Sequence, residues 1–409
     1  MTTITQTDAS WQDDATVIGL VSLAHASSHF SHLLLPLMFP KFIEAFGFSY
    51  SELGLLMSVF FVVSGVGQAS AGFLVDRLGA RPVMYFALAA LASACMAASF
   101  AQSYGGLMVA AALFGVGNAS FHPVDFTILN QRVSPPRLGY AFSAHGLTGN
   151  LGWAVAPLFM VGISSLYDWR TAYVAAACVF LGILALLVWK SDAILTHAAD
   201  RKANDPHAAH SLAFLKIPVV WWCFAFFFFS TMTLAIVQTF SVSILQAMHH
   251  VSFEAATLTL TAYMLCAAAG MFLGGFVAAR WPTHSDRVVA TCMTVAAIFM
   301  ALCGSGWFNG TLAMVILAAT GLAIGVGGPS RDMMIKKATP KGATGRVYGM
   351  VYSGLDVGFA TSPLVFGVFM DRGWYGLTLV GGACVMLLSV LVALGVGKRS
   401  QLVKNSSRI

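Results

Sequence analysis

The chain has 409 residues, of which 58% are hydrophobic and only 9% are charged, with a mean hydropathy of +0.79. So few charged side chains cannot cover the surface of a water-soluble protein of this length. The composition therefore excludes that class and predicts a protein embedded in lipid. The net charge of +6 would suit a nucleic-acid-binding protein. The basic residues, however, lie between apolar runs, where they indicate membrane topology rather than a nucleic-acid partner.

Long apolar runs predict about twelve transmembrane helices. A helix of about 20 apolar residues crosses the hydrocarbon core of a bilayer. The runs are continuous rather than alternating, which favours helices over the strands of a barrel. In chain order, the predicted spans are 16–39, 51–75, 83–102, 104–131, 140–165, 170–189, 217–247, 252–279, 287–308, 310–335, 344–370 and 374–397. The predicted fold class is an all-α integral membrane protein.

The distribution of basic residues predicts the orientation of the chain. When successive loops are assigned to alternate sides, all but three of the 22 Lys and Arg residues fall on the side that carries both termini; the exceptions are Lys41, Arg170 and Arg372. Basic residues concentrate on the cytoplasmic side, so we expect both termini to be cytoplasmic in a bacterial-type inner membrane. The first 15 residues contain no Lys or Arg, so they do not read as a secretory signal peptide.

A long polar segment separates the first six spans from the last six. The predicted domains are a cytoplasmic tail, a six-helix bundle, a cytoplasmic linker, a second six-helix bundle and a second cytoplasmic tail, at residues 1–15, 16–189, 190–216, 217–397 and 398–409. The halves repeat each other, because residues 48–77 align with 251–280 without a gap, and Arg77 falls on Arg280. Such a repeat predicts a pseudo-symmetric transporter with its substrate site between the halves, near the membrane midplane.

The segment after the second span reads Gly72-Phe-Leu-Val-Asp76-Arg77-Leu-Gly79-Ala-Arg81. It resembles the G-x-L-x-D-R-x-G-x-R loop of the major facilitator superfamily. With twelve spans, a central linker and a half-repeat, the resemblance covers nearly the whole chain. It implies a secondary active transporter that works by alternating access, not an enzyme, and that needs no cofactor. It also implies a gating role for Gly72, Asp76, Arg77, Gly79 and Arg81. The alternative is a tight turn whose charges only set the topology.

A narrower resemblance is to the fosmidomycin-resistance branch of drug exporters. The matching pieces are Ser22-Leu23-Ala24-His25, Phe121-His122-Pro123 and Gly149-Asn150-x-Gly152. The branch implies proton-coupled export of drugs. One departure is His29, which stands where that branch tends to carry Asp, so an anionic proton acceptor is replaced by an imidazole.

Three histidines of the first span, His25, His29 and His32, are spaced at i, i+4 and i+7 and share one face of a helix. Polar groups are costly against lipid, so we expect this face to line a cavity. Three interpretations remain open: a pH-responsive proton relay, a divalent metal site, and neutral histidines that hydrogen-bond to other helices or to substrate. A metal site would need further ligands, so no metal is predicted.

The fourth and fifth spans add further polar candidates. Asn118, His122 and Asp125 share one face of the fourth span, and His145 lies in the fifth. One interpretation is that Asp125 exchanges a proton with His122. The other is that it is a static partner of an arginine, with Arg132, Arg137 and Arg331 as the candidates.

The second half contributes Gln238, Arg331 and Asp356. Arg331 would pair with Asp332 as part of a cytoplasmic gate, or else bind an anionic substrate through its planar guanidinium. Asp356 would carry the coupling proton, or else balance Arg331 or Arg346.

The leading functional prediction is proton-coupled antiport that exports small amphipathic or anionic organic compounds, drugs included. The alternative is proton-coupled uptake of an organic anion such as a carboxylate. A remote alternative is a histidine-box membrane metalloprotein. The expected partners are a small-molecule substrate, protons and the lipid bilayer, and the protein is expected to be a monomer.

Overall fold

The computed structural model describes residues 10–196, 218–338 and 344–406. These residues form fourteen α-helices. Their bounds are α1 Trp11–Leu34, α2 Phe39–Phe46, α3 Tyr50–Leu78, α4 Ala80–Phe100, α5 Tyr104–Asn118, α6 Phe121–Arg132, α7 Leu138–Leu166, α8 Trp169–Trp189, α9 Pro218–His249, α10 Phe253–Arg280, α11 Ser285–Gly304, α12 Gly310–Ala338, α13 Thr344–Asp371 and α14 Tyr375–Ser406.

These helices confirm the predicted all-α membrane fold. Within the described residues, eleven helical segments are long and apolar enough to cross a membrane. Helix α1 is not among them, because it carries three histidines and four serines along its length. The residues that lower the hydropathy of α1 are thus the same ones that make it a candidate for function.

The fourth predicted span is interrupted. Helix α5 ends at Asn118 and α6 begins at Phe121, with a turn at Ala119 and Ser120. Pro123 explains the interruption, because it has no N–H to donate to the carbonyl of Ala119, four residues earlier. His122 and Asp125 therefore lie on a separate short helix, whereas the sequence predicted one continuous span over 104–131.

Contacts within the described residues divide the chain into two compact units. The N-terminal unit contains residues 1–46 and 59–201, and the C-terminal unit contains residues 47–58 and 202–409. In the N-terminal unit α1 packs against α6 and α7, and α4 packs against α5 and α8; in the C-terminal unit α9 packs against α13 and α14, and α10 against α12. Most of the predicted linker 190–216 lies outside the described residues, so the domain limits remain a prediction.

The two units share a crossing between corresponding helices at which the backbones approach closely. In the N-terminal unit a Cβ atom added to Gly152 of α7 would collide with the carbonyl oxygen of Ala26 in α1. In the C-terminal unit a Cβ atom on Gly358 of α13 would lie 2.7 Å from the carbonyl oxygen of Phe228 in α9. Glycine at these positions lets the two helices approach closely, and the side chains beside each crossing are pressed together.

Candidate transport site in the N-terminal unit

Helices α1, α6 and α7 bring together a group of side chains that we call the histidine cluster: His25, His29, His32, His122, His145 and Asp125. The ring centre of His25 lies 3.5 Å from that of His145, 4.5 Å from that of His29 and 5.3 Å from that of His122. The cluster thus contains six of the predicted site residues, drawn from three of the predicted spans.

Asp125 is the centre of one half of the cluster. Its Oδ2 atom lies 3.0 Å from His25 Nδ1 and 3.0 Å from His145 Nε2. Asp125 is fully buried, with an exposed fraction of 0%, and His25 is 2% exposed. When Asp125 is ionised its carboxylate can only accept hydrogen bonds, and each of these ring nitrogens then donates an N–H to it. The nitrogens left for another partner are then His25 Nε2 and His145 Nδ1.

His32 belongs to a second hydrogen-bonded network. Its Nε2 atom lies 3.0 Å from Asn118 Oδ1, and Trp153 Nε1 donates to its Nδ1 atom over 3.3 Å. An indole N–H is only a donor, so Nδ1 carries no proton and Nε2 donates to Asn118. Asn118 Oδ1 also accepts from Ser28, and its Nδ2 atom donates to Ser64. His32 is therefore held as one neutral tautomer.

His29 lies between these two networks. Its ring centre is 4.3 Å from the Trp153 ring and 5.2 Å from the His32 ring. Its Nδ1 atom is buried and has no hydrogen-bond partner. A Cβ atom at Gly149 would lie 2.8 Å from His29 Cε1 and 3.0 Å from His25 Nε2. Because residue 149 is a glycine, the two imidazole rings have room to lie beside α7.

The predicted histidine stripe of α1 does not act as a single set. His25 bonds to Asp125, His32 bonds to Asn118 and Trp153, and the His29 Nδ1 atom has no partner. The stripe is divided because His25 meets Asp125 of α6, whereas His32 meets Asn118 at the end of α5, and α7 contributes His145 at one end and Trp153 at the other.

The predicted pairing of Asp125 with an arginine is not what the structure shows. Asp125 bonds to His25 and His145, whereas Arg137 pairs with Asp14 at 2.6 Å. Arg132 donates to the backbone carbonyls of Asp192 and Ala193. The arginine side chains near the end of α6 therefore reach away from Asp125, and imidazoles take their place.

Among the described residues, three histidines are placed to share a metal ion. His25, His122 and His145 each offer one ring nitrogen, and the three nitrogens lie within 4.8 Å of one another. His25 and His145 are buried, whereas His122 is exposed. The combination considered from the sequence, His25 with His29 and His32, is not the one that the fold assembles.

The predicted gating loop has a simple local structure. Gly79 adopts φ +83°, a conformation that favours glycine, between α3 and α4. Asp76 and Arg77 are exposed at the end of α3, and Gly72 has no neighbour near its Cβ position. Arg81 Nη1 lies 3.4 Å from the carbonyl oxygen of Ser191. The gating role of this loop remains a prediction.

The other three predicted site residues belong to the C-terminal unit. Gln238 is buried in α9, and its Nε2 atom has no hydrogen-bond partner. Arg331 Nε lies 2.9 Å from Asp332 Oδ1, and its guanidinium lies 5.4 Å from the centre of the Phe227 ring. Asp356 is partly buried, midway along α13.

Sequence reasoning missed two features of the N-terminal unit. One is Trp153, whose indole fixes the tautomer of His32. The other is Asp14, which is buried at the start of α1 and accepts hydrogen bonds from Ser134 and Arg137. Burial alone would raise the pKa of Asp14, but these hydrogen bonds outweigh it and lower the pKa below its usual value. For Asp14, the signal in the sequence was the presence of acidic residues directly ahead of the first apolar run.

The described residues combine a buried polar cluster with eleven segments able to cross a membrane, and this combination defines a multi-pass membrane protein of the transporter class. The chain belongs to the Major Facilitator Superfamily, whose family model matches residues 21–284 and 231–408. Family and fold together identify a transporter rather than an enzyme, as the sequence predicted.

Two similar proteins illustrate the range of relatives. The fosmidomycin resistance protein of Escherichia coli K12 is 24% identical over 264 residues, and the match covers 63% of this chain and 64% of that protein. The match thus spans less than two thirds of that relative. The uncharacterised MFS-type transporter YfnC of Bacillus subtilis is 25% identical over 387 residues, with 92% of each chain covered.

Solved structures share the fold. A bacterial homolog of the human lysosomal transporter Spinster, in its inward-facing and unoccupied conformation, gives a TM-score of 0.70 at 15% identity. The match covers 96% of this chain and 97% of that one. At this identity the likeness concerns the fold alone.

Proposed function

We propose that this protein is a secondary transporter that works by alternating access and exports small amphipathic or anionic organic compounds in exchange for protons. The observation that carries the proposal is the histidine cluster, in which the exposed His122 leads to buried imidazoles and a buried carboxylate. Ionisable groups inside membrane helices are costly, and they mark substrate and proton paths. The drug-resistance name of one relative supports export.

Asp356 is our candidate for the coupling proton. It lies midway along α13 and is only partly buried. Asp125, by contrast, is fully buried and is bonded to two imidazoles. A partly exposed carboxylate within a membrane helix can take up and release a proton during a cycle.

The test uses inverted membrane vesicles with an imposed proton gradient and a panel of amphipathic and anionic compounds. Addition of a substrate should dissipate the gradient in vesicles that contain the protein, and expression should protect a drug-hypersensitive host from the same compound. Asp356→Asn should abolish the proton flux and leave substrate exchange down a concentration gradient intact. The control is Glu254→Gln, because Glu254 is exposed at the start of α10. If no compound affects the gradient or the sensitivity of the host, export is refuted.

A second candidate is uptake of an organic anion, which Arg331 favours. Its guanidinium lies in α12 beside the Phe227 ring, and it can bind a carboxylate through two parallel N–H groups. A probable 4-methylmuconolactone transporter of Cupriavidus pinatubonensis is 26% identical over 193 residues, and the match covers 46% of this chain and 45% of that protein. Accumulation of a labelled carboxylate by intact cells would favour uptake over export.

We also propose that both termini lie in the cytoplasm of a bacterial-type inner membrane and that the transporter acts as a monomer. The concentration of basic residues on one side supports the orientation. A reporter fused to the C-terminus that is active only when cytoplasmic would test it.

A further inference from the structure

We propose that His25, His122 and His145 form a binding site for a divalent first-row transition-metal ion, of the zinc or cobalt type, and that Asp125 orients two of the three ligands. The site belongs to the N-terminal unit alone. It goes beyond the proposed function, because it concerns an inorganic ion and does not depend on the direction of transport or on the organic substrate.

The donor set suits such an ion. Imidazole is a preferred ligand of zinc, copper, nickel and cobalt. The three residues come from α1, α6 and α7, and their nitrogens lie within 4.8 Å of one another. Zinc–nitrogen bonds of about 2.0–2.1 Å in a tetrahedral site place ligand nitrogens about 3.4 Å apart. Binding one ion therefore requires the nitrogens to move closer together, and the rings of His25 and His145 must turn out of their stacked arrangement to do so.

Asp125 supplies the outer shell that histidine ligands require. A metal-bound histidine typically donates its other ring N–H to a carboxylate or a carbonyl, which fixes the tautomer and increases the basicity of the ligand. Both His25 Nδ1 and His145 Nε2 lie 3.0 Å from Asp125 Oδ2. The nitrogens that this leaves, His25 Nε2 and His145 Nδ1, are then prepared to bind the ion. A bound dication would also compensate the buried negative charge of Asp125.

Access and a fourth position are both available. His122 is exposed, which gives an ion a route to the two buried ligands. His29 lies beside the site, with its ring centre 4.5 Å from that of His25 and 6.5 Å from that of His122. Its buried Nδ1 atom has no partner, so it can hydrogen-bond to a water or an anion that occupies the fourth position. Three protein ligands and one open position are typical of sites that exchange a ligand.

The competing explanation is that these histidines are packed as neutral rings. His25 and His145 are stacked, with ring centres 3.5 Å apart and an angle of 22° between the planes. Stacking alone would account for this pair, but it gives no reason for His122 to join them or for one carboxylate oxygen to face two ring nitrogens. Metal binding by the purified protein separates the two explanations.

The experiment titrates the full-length protein with Co²⁺ and follows the visible absorption. The protein is purified with a tag that contains no histidine and is stripped with a chelator. We expect one equivalent of Co²⁺ to produce the intense bands of tetrahedral coordination, and Zn²⁺ to remove them. His122→Ala should abolish the bands. His284→Ala is the matched control, because His284 is exposed and belongs to the C-terminal unit, and it should bind as the wild type does.

Two further variants keep the proposal falsifiable if His122→Ala fails to fold. His122→Cys replaces one ligand by a thiolate, so it should still bind Co²⁺ and add a sulfur-to-cobalt band in the near ultraviolet. Asp125→Asn should weaken binding by about 10- to 100-fold without changing the ligand set. Failure of the wild type to bind, or an unchanged cobalt spectrum in His122→Cys, would overturn the site. Binding is measured without transport, so this failure would leave the proposed transport function standing.

Discussion

The two units contain the same glycine-mediated helix crossing, but different side chains lie next to it. The internal repeat places Gly152 on Gly358 at an offset of 206 residues. In the N-terminal unit Gly152 lies against the carbonyl of Ala26, and in the C-terminal unit Gly358 lies against the carbonyl of Phe228. A glycine on one helix and a backbone oxygen on the other thus form the same packing element in each unit.

The side chains beside the crossing are what distinguish the units. In α1, His25 precedes Ala26 and His29 lies three residues after it, whereas in α9 Phe228 lies between Phe227 and Phe229. The N-terminal unit therefore has imidazoles and a buried carboxylate next to its crossing, and the C-terminal unit has aromatic rings. The comparison teaches that the repeat preserves the backbone scaffold, while the chemistry depends on a few positions around it.

The largest expected effect tests the crossing of the N-terminal unit. Gly152→Ala should reduce the free energy of unfolding by about 3 kcal/mol or more, because its Cβ would collide with a backbone oxygen that cannot move independently. The thermal unfolding midpoint in detergent measures the loss. Gly146→Ala is the control on the same helix, since no atom lies within 4 Å of its Cβ position. Equal stability of the two variants would mean that α1 and α7 do not approach this closely.

A second substitution tests whether α9 and α13 approach as closely as α1 and α7 do. Gly358→Ala should reduce stability by about 1–3 kcal/mol, less than Gly152→Ala, because its Cβ would lie 2.7 Å from the Phe228 oxygen. The same unfolding assay gives the ranking. A larger loss at Gly358 than at Gly152 would reverse the comparison between the units.

A third pair of variants separates the two parts of the histidine cluster. His32→Ala should reduce stability by about 1–3 kcal/mol, because Asn118 and Trp153 lose their hydrogen-bond partner. His29→Ala should cost less stability and change transport more, because its Nδ1 atom has no partner to lose. Unfolding midpoints and transport rates of both variants provide the check. Equal losses of stability would show that His29 is also structural.

The sequence predicted the scaffold well, for physical reasons that particular elements make clear. The span predicted at 170–189 is observed as Trp169–Trp189, because an apolar run bounded by polar residues leaves a helix little freedom in a membrane. The interruption of the fourth span was not predicted, although Pro123 was visible. A proline inside a membrane helix is often tolerated, so its presence alone does not fix a break.

The pairing within the cluster could not be predicted from one sequence. His25 and Asp125 are 100 residues apart, and the rotation of α6 about its axis decides whether Asp125 faces an arginine or an imidazole. One feature of the sequence did indicate that α1 and α7 pack together. His145, Gly149 and Gly152 in α7 follow the same i, i+4, i+7 spacing as the three histidines of α1, which indicates two faces that could pack together.

A smaller effect tests the tautomer of His32. Trp153→Phe keeps an aromatic ring beside His29 and removes the indole donor to His32 Nδ1. We expect a loss of about 1 kcal/mol, the net contribution of one hydrogen bond. Trp307→Phe, at a tryptophan that is 81% exposed, should change the unfolding midpoint less. If the two substitutions have the same effect, the Trp153–His32 hydrogen bond does not stabilise the unit.

The smallest expected effect concerns pH and the end of α1. The pKa of Asp14 is lowered in the folded protein, so its stabilising contribution is present above the pKa of the unfolded chain and is lost as the pH falls through the folded value. Wild-type stability should therefore exceed that of Asp14→Asn near pH 6, and the difference should shrink on acidification below about pH 4. Thermal unfolding across this range measures it. A difference that stays constant would mean that the hydrogen bonds from Ser134 and Arg137 do not depend on the charge of Asp14.

The turn at Ala119 and Ser120 divides the histidine cluster and its partners between two helices of the fourth span. Asn118, which holds His32, ends α5, whereas His122 and Asp125 lie beyond the turn on α6. A tilt of α6 about this turn would carry His122 and Asp125 together and leave the network of His32 in place. We therefore expect the short helix to act as a lever, so that one pivot changes the distance from His122 to His25 without unfolding either part of the span.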